Sequence, residues 1–115
     1  AMREFLHVDD MADACLHIMN LDKAFFNKNI DSRLSHINIG TGIECSIKDL
    51  AEHICQVTKY KGEIIFDSSY PDGTPRKLLD TSKINNMNWH YSIDLLDGLE
   101  DAYDWSKKNI KTARQ

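Results

Sequence analysis

The sequence lacks most features of a membrane, secreted or nucleic-acid-binding protein. It has three cysteines, an odd number without a CxxC spacing, which predicts neither a zinc site nor a disulfide framework. The net charge of -4 disfavours nucleic acid and anionic membranes as partners, because both attract basic surfaces. No apolar run has the length of a transmembrane helix, and the start shows no signal-peptide pattern. We therefore expect one small domain, or a piece of a larger protein, in the reducing cytoplasm.

Sequence signatures of catalysis are also missing. The histidines are scattered and form no metal-binding pair such as HExxH, and no GxSxG nucleophile turn occurs. The Gly-Thr-Gly at 40–42 resembles a phosphate-binding turn, but Cys45 stands where a dinucleotide fingerprint has its third small residue. The residues predict no catalytic group, no dinucleotide site and no metal site.

Hydrophobic periodicity predicts an α/β fold. Strands are expected at 5–8, 36–39 and 63–67, with a helix capped by Asp9 or Asp10 that fades near 27–29. A second helix should open at Ser46, where Ser46 and Asp49 resemble a capping box. The strands at 36–39 and 63–67 would then flank this helix as a parallel βαβ unit.

Two further helices are expected in the last third of the chain. Asp80 or Ser82 can cap a short helix towards residue 86. Ser92 is predicted to open a last amphipathic helix, and the polar tail from 107 to 115 is predicted to fray.

A stiff loop at 68–77 is the most informative stretch. It contains two prolines and a glycine and ends in Arg76 and Lys77. Cations on a rigid loop are typical of a phosphate clamp, but also of an ordinary solvated surface. Arg3 could likewise bind a phosphate through its guanidinium or form an ion pair with Asp9 or Asp10. The residues alone leave these alternatives open.

The order of several segments resembles a known family. Residues 2–14, 35–42 and 47–51 resemble the extended short-chain dehydrogenases that act on nucleotide sugars. Residues 61–67 followed by 71–80 resemble the bacterial GDP-L-fucose synthases within that family. The resemblance covers essentially the whole chain and implies the C-terminal nucleotide-sugar-binding part, residues 1–115, without the Rossmann half.

The resemblance implies a parent enzyme that epimerises C3 and C5 of GDP-4-keto-6-deoxy-D-mannose and reduces the 4-keto group with NADPH. The NADP-binding half and the catalytic residues precede this region in the family, so the isolated chain is expected to be inactive. The matching positions imply that Arg3, Asp72 and Lys77 bind the GDP-sugar substrate, whereas Arg76 is only adjacent. The parent is expected to be a cytoplasmic homodimer that needs no metal, and Cys15, Cys45 and Cys55 receive no epimerisation role.

The sequence is compatible with three interpretations. The chain is expected to be a fragment of that enzyme, since it begins two residues before the arginine proposed to bind ligand. It could instead be a stand-alone sugar-nucleotide-binding or interaction module without catalysis. A fragment of another nucleotide-sugar epimerase or reductase is the third interpretation.

Overall fold

The computed structural model describes residues 1–30 and 36–112 of the protein. Within those ranges the chain forms three short strands and five helices, none long and apolar enough to cross a membrane. In chain order the elements are β1 (Met2–Glu4), α1 (Val8–Met19), α2 (Lys23–Asn29), β2 (Glu44–Ser46), α3 (Ile47–Thr58), β3 (Arg76–Lys77), α4 (Ser82–Asn86) and α5 (Leu95–Asn109).

The strands form one sheet in the order β2-β1-β3. The central strand β1 runs antiparallel to β2 and parallel to β3. Arg3 is paired with Cys45 on one side and with Lys77 on the other. The α/β class is therefore confirmed, and the sheet brings together residues more than seventy positions apart in the sequence.

The predicted βαβ unit is wrong. Residues 36–39 and 63–67 are not strands in the described chain. Their apolar pattern suits a strand, but a strand also needs a neighbouring edge for its backbone hydrogen bonds. The strands that do flank α3 lie on opposite sides of β1 and run in opposite directions, so they are not parallel neighbours.

The first strand and the first helix differ from the prediction. The strand is Met2–Glu4 rather than 5–8, and Val8 already belongs to α1. His7 is the N-cap, because its Nδ1 accepts a hydrogen bond of 3.0 Å from the backbone N–H of Asp9. The imidazole thus takes the capping role expected of Asp9 or Asp10. The single predicted helix is also divided, since α2 begins separately after its own cap, Asp22.

The helix α3 confirms the capping prediction. Ser46 Oγ accepts a hydrogen bond of 3.0 Å from the backbone N–H of Asp49, which satisfies one of the free donors at the helix start. The helix ends at Lys59, whose φ of 59° lies in the left-handed region typical of a helix C-terminus. A local signal therefore fixes this helix.

The last two helices are partly as predicted. The helix α4 (Ser82–Asn86) is confirmed, but its N-cap is Thr81 rather than Asp80 or Ser82. Asp80 Oδ1 accepts from the Ser82 N–H at 3.0 Å just before the helix. However, α5 begins at Leu95 with Asp94 as N-cap, and Ser92 does not open it. Helix α5 continues to Asn109, three residues into the tail expected to fray. Residues 113–115 of that tail, and Ser35 of the matching segment, lie outside the described residues.

A small core forms where α1 packs against residues 84–93, and we call these two segments the α1 core. Its buried apolar side chains are Ala14, Ile84, Met87 and Trp89. Hydrogen bonds from α1 reinforce the packing. Asp13 accepts from the Trp89 indole N–H at 2.9 Å, and His17 Nε2 lies 2.7 Å from the Met87 carbonyl.

Asp10 connects the two segments of the α1 core most closely. Asp10 is 2% exposed, and its carboxylate accepts from the Ser92 N–H, the Ser92 hydroxyl and the Ile93 N–H, at 2.9–3.3 Å. A buried carboxylate needs such donors to offset its loss of hydration. Ser92, expected to cap α5, is instead used to bind Asp10.

Residues 59–80 behave differently, and we call them the exposed arm. Every residue in this range is exposed, and Ile65 and Phe66 have exposed fractions of 78% and 56%. The radius of gyration of the chain is 17.6 Å, against about 13 Å for a compact domain of this size. The arm is therefore poorly covered by the rest of the described chain, and near its end it is hydrogen-bonded to β1 and β2.

Candidate substrate-binding site

Arg3 and Lys77 lie next to each other in the structure. They are register partners on the parallel strands β1 and β3, so both project from the same face of the sheet. Together with Glu4, Leu78 and Leu79 they line an open cleft of about 510 Å³. No periodicity in the sequence requires this approach of residues so far apart in the chain. The sheet topology alone produces it.

Arg3 is held in place by backbone carbonyls. Its Nη1 donates to the carbonyl oxygens of Met2 and Thr74, both at 2.7 Å. A guanidinium has five N–H groups, so this leaves those on Nε and Nη2, which have no hydrogen-bond partner among residues 1–30 and 36–112. The side chain is thus oriented in advance and keeps donors for a ligand.

Gly73 lies directly beneath this guanidinium. A β-carbon at position 73 would stand 3.2 Å from Nη2 of Arg3, closer than most side-chain contacts. Asp72 precedes this glycine in the exposed arm, and its carboxylate has no hydrogen bond or ion pair with the part of the chain that the structure describes. The proposed binding residues Arg3, Asp72 and Lys77 therefore belong to one region around the end of the arm.

Lys77 and Arg76 differ sharply in availability. Lys77 is exposed and makes no hydrogen bond or ion pair within the described ranges. Arg76 projects from the opposite face and is bound to Glu44, with Nε to Oε2 at 2.8 Å and a second contact between Nη2 and Oε1. This hydrogen bonding and the charge of Glu44 raise the pKa of Arg76, so the guanidinium keeps its charge. Only Lys77 of the two has its charge free for a ligand.

The Gly-Thr-Gly turn is already occupied by a side chain of the protein. The Gly42 N–H donates to Glu4 Oε2 at 2.5 Å, and Gly42 has the positive φ of 75° that glycine adopts easily. A β-carbon on Gly40 would lie 2.8 Å from the same carboxylate oxygen. The glycines therefore make room for Glu4, which takes the place that an anionic ligand would have at such a turn.

Sequence reasoning overlooked Glu4 and Glu44, although both organise the site. Glu4 also accepts from the Leu79 N–H at 3.4 Å, which ties the end of the arm to β1. Neither glutamate is at helical or strand spacing from its partner. For example, Glu44 and Arg76 are 32 residues apart. The available signals were weak: Glu44 stands two residues after the glycine turn, and Glu4 directly follows Arg3.

Comparison with known proteins identifies the relatives of this fold. The GDP-L-fucose synthase of Escherichia coli (strain K12) is 50% identical over 108 residues, which is 94% of this chain and 34% of that protein. The chain is homologous to the C-terminal part of the GDP-L-fucose synthases. It spans about a third of the length of such relatives. No protein-family model matches it.

Solved structures of other GDP-sugar enzymes superimpose on this chain. A GDP-6-OMe-4-keto-L-xylo-heptose reductase from Campylobacter jejuni superimposes with a TM-score of 0.83 at 41% identity, over 95% of this chain and 32% of that one. A GDP-D-glycero-L-gluco-heptose synthase from the same organism, solved in the presence of NADPH, gives 0.81 at 39% identity, over 93% and 30%. The fold is that of the C-terminal part of extended short-chain dehydrogenases.

The resemblance to GDP-L-fucose synthases gives the three cysteines no epimerisation role, and this assignment stays a prediction. All three are free thiols, and Cys15 is exposed on α1. Burial, followed by the charge of Asp49, raises the pKa of the Cys45 thiol. A raised pKa keeps the thiol protonated, whereas a reactive cysteine needs the thiolate. Cys45 therefore lacks the environment of a reactive thiolate.

His7, Asp9 and Asp101 form the one compact group of potential metal ligands within residues 1–30 and 36–112. Because His7 Nδ1 already accepts from the Asp9 N–H, the ring proton resides on Nε2, which donates to Asp101 at 2.9 Å. Both ring nitrogens are thereby engaged. The group caps α1 and ties it to α5, and it leaves no ring lone pair for a cation.

Proposed function

We propose that this chain is the GDP-sugar-binding part of a GDP-L-fucose synthase. In this proposal Arg3 and Lys77 bind the diphosphate, and Asp72 lies close to the nucleotide. The observation that carries the proposal is the pairing of Arg3 with Lys77 on one face of the sheet, with donors of both side chains unused. The identity to GDP-L-fucose synthases over nearly the whole chain supports the same substrate class.

The two cations suit a diphosphate for different reasons. The planar guanidinium of Arg3 can donate two parallel hydrogen bonds to phosphate oxygens, and its Nη1 contacts fix the direction of that fork. The ammonium of Lys77 acts as a mobile point charge beside it. Binding energy from the diphosphate, which does not react, can help to hold the sugar in place for the chemical steps.

The chemical steps belong to the longer enzyme. It converts GDP-4-keto-6-deoxy-D-mannose to GDP-L-fucose by epimerisation at C3 and C5, and NADPH supplies the hydride that reduces the 4-keto group. In this proposal the remainder of the protein holds NADP and the catalytic groups, and the enzyme is a homodimer. We assign the enzyme to the cytoplasm, since the three free thiols of this chain suit a reducing compartment.

The test is a pair of alanine variants, Arg3→Ala and Lys77→Ala, in the longer enzyme that contains this chain. Each should lower kcat/KM for the GDP-sugar by roughly tenfold to a hundredfold, mainly through KM, because each removes a charge-assisted contact. Lys61→Ala is the matched control, since Lys61 is also an exposed cation on the arm. Wild-type kcat/KM in both test variants would refute the diphosphate assignment.

A second candidate function has support from the structural relatives. Both Campylobacter jejuni proteins act, by their names, on GDP-linked heptoses at about 40% identity to this chain. The chain could therefore serve a reductase or epimerase for another GDP-sugar, with the same diphosphate contacts. Turnover of a panel of GDP-4-keto-sugars separates the two functions. A preference of the wild-type enzyme for a keto-heptose over the 6-deoxy sugar would favour the second.

A further inference from the structure

We propose that the ion pair between Glu44 and Arg76 is a positioning pair that holds strand β3 so that Lys77 stands beside Arg3. The inference rests on the proposed function, in which Lys77 contacts the diphosphate. It assigns a role to two residues that do not themselves touch the ligand. Glu44 belongs to β2 and Arg76 to β3, so the pair spans the central strand β1.

Strand β3 needs such support because it is very short. It has two residues, and both are exposed. Besides the β1–β3 pairing, it is anchored by the bond from the Met2 N–H to the Pro75 carbonyl at 2.8 Å and by the Arg3 contact to Thr74. All of these contacts are to β1. The Glu44–Arg76 pair is the contact that links β3 to the far strand of the sheet.

The geometry of the pair favours a stable link. Two nitrogens of the guanidinium face two oxygens of one carboxylate, the arrangement in which arginine pairs are strongest. The Glu44 side chain is only 15% exposed, whereas that of Arg76 is 65% exposed. The carboxylate is therefore the fixed end and the arginine reaches to it across β1. Arg76 is thereby held at one orientation, and the adjacent Lys77 must project from the other face.

The face from which Arg76 projects decides between positioning and direct binding. Arg76 is paired with Met2 and Lys77 with Arg3, and successive residues of a strand point to opposite faces. Arg76 thus lies on the same face as Glu44, and its guanidinium is bound by that carboxylate. A phosphate could bind Arg76 there only by displacing Glu44. The pair acts on the cleft only through its control of β3.

The kinetic test uses Arg76→Gln and Glu44→Gln in the longer enzyme. Both should raise KM for the GDP-sugar by about threefold to tenfold and leave kcat within about twofold, since each breaks the same link. If Arg76 itself bound the diphosphate, Glu44→Gln would free it and would not raise KM. Lys107→Gln is the matched control, because it breaks an exposed ion pair with Asp104 on α5, away from the sheet.

A double-mutant cycle with Lys77→Ala decides whether the pair acts through Lys77. Adding Arg76→Gln to Lys77→Ala should not raise KM further, because the residue being positioned is already gone. Additive effects on KM, or an unchanged KM in Glu44→Gln, would overturn the positioning role. The single reversals Glu44→Arg and Arg76→Glu should each raise KM. The double variant that carries both should bring KM most of the way back to the wild-type value.

A measurement without substrate separates this inference from the proposed function. In the 115-residue chain, amide hydrogen exchange at residues 76–77 should accelerate by about threefold to tenfold in both Gln variants and not in Lys107→Gln. If exchange responds but Lys77→Ala has wild-type KM, the pair positions β3 and the diphosphate assignment is wrong. If exchange at 76–77 does not change, the positioning pair itself is refuted.

Discussion

The α1 core and the exposed arm contain similar residue types, but these residues differ in burial and in hydrogen bonding. Both contain isoleucines, aromatic side chains and acidic groups, but Ile84 in the core is fully buried and Ile65 in the arm is 78% exposed. Asp10 in the core accepts several hydrogen bonds, whereas Asp72 in the arm accepts none from the described residues. Residue type therefore does not reveal which region stabilises the fold. The structure assigns stability to the core and the candidate ligand contacts to the end of the arm.

The largest expected effect is the difference in unfolding free energy between substituting a buried isoleucine and substituting an exposed one. Ile84→Ala should lower the free energy of unfolding of the 115-residue chain by about 2–4 kcal/mol, because it opens a cavity in a small core. Ile65→Ala removes the same atoms from an exposed site and should cost less than about 0.5 kcal/mol. Urea unfolding followed by circular dichroism measures both. Equal losses in the two variants would abolish the distinction between core and arm.

The next effect compares two neighbouring aspartates on α1. Asp10→Ala leaves the Ser92 and Ile93 donors without their acceptor and should destabilise the chain by about 2–3 kcal/mol. The Asp9 side chain is 74% exposed, so Asp9→Ala should cost no more than about 1 kcal/mol through the helix dipole. The same urea titration checks the pair. A loss in Asp9→Ala as large as that in Asp10→Ala would show that helix charge, rather than the buried contacts, is what matters.

A smaller effect should separate the two tryptophans. Trp89 is 3% exposed and donates its indole N–H to Asp13, whereas Trp105 is 56% exposed on α5. Trp89→Phe should cost about 1–2 kcal/mol of unfolding free energy, and Trp105→Phe less than about 0.5 kcal/mol. Thermal unfolding of the two variants measures the difference. The prediction fails if Trp105→Phe is the more destabilising change.

The smallest effect concerns pH at the end of the arm. Hydrogen bonds from Ser82 lower the pKa of Asp80 below its usual value of about 4. A carboxyl whose pKa is lowered by folding stabilises the folded state above its unfolded pKa, and this contribution is lost as the pH falls through the folded pKa. The start of α4 should therefore loosen only below about pH 4. Amide NMR of Ser82 checks it, and Asp80→Asn should remove the pH dependence.

Some elements of the fold could be predicted because their signals are local. The cap of α3 lies within four residues, from Ser46 to Asp49, and both the cap and the helix are confirmed. The strands at 36–39 and 63–67 could not be judged in this way. A strand depends on a partner edge that no local window contains, and apolar alternation reports only the tendency to pair. His7 misled for a related reason, since an imidazole cap is outside the usual set of capping residues.

The sequence indicated which residues belong to the candidate site, but it did not indicate how they are arranged in space. Resemblance to a family pointed to Arg3, Asp72 and Lys77, and the binding role of these residues remains a prediction. Their proximity follows from the sheet order, in which β1 pairs with a strand more than seventy residues later. The roles of Glu4 and Glu44 depend on contacts of the same long range. Such pairings are set by tertiary packing, which the sequence pattern does not express.

Gly73 gives this site an adjustment that leaves every charge unchanged. Its missing side chain is the clearance beneath the guanidinium of Arg3, and a single methyl group there would meet Nη2 at 3.2 Å. Gly73→Ala would thus shift the direction of the arginine fork while both cations, the sheet register and the carbonyl acceptors are retained. An engineer who wishes to weaken nucleotide affinity in small steps, or to admit a differently shaped diphosphate ester, can begin at this uncharged position.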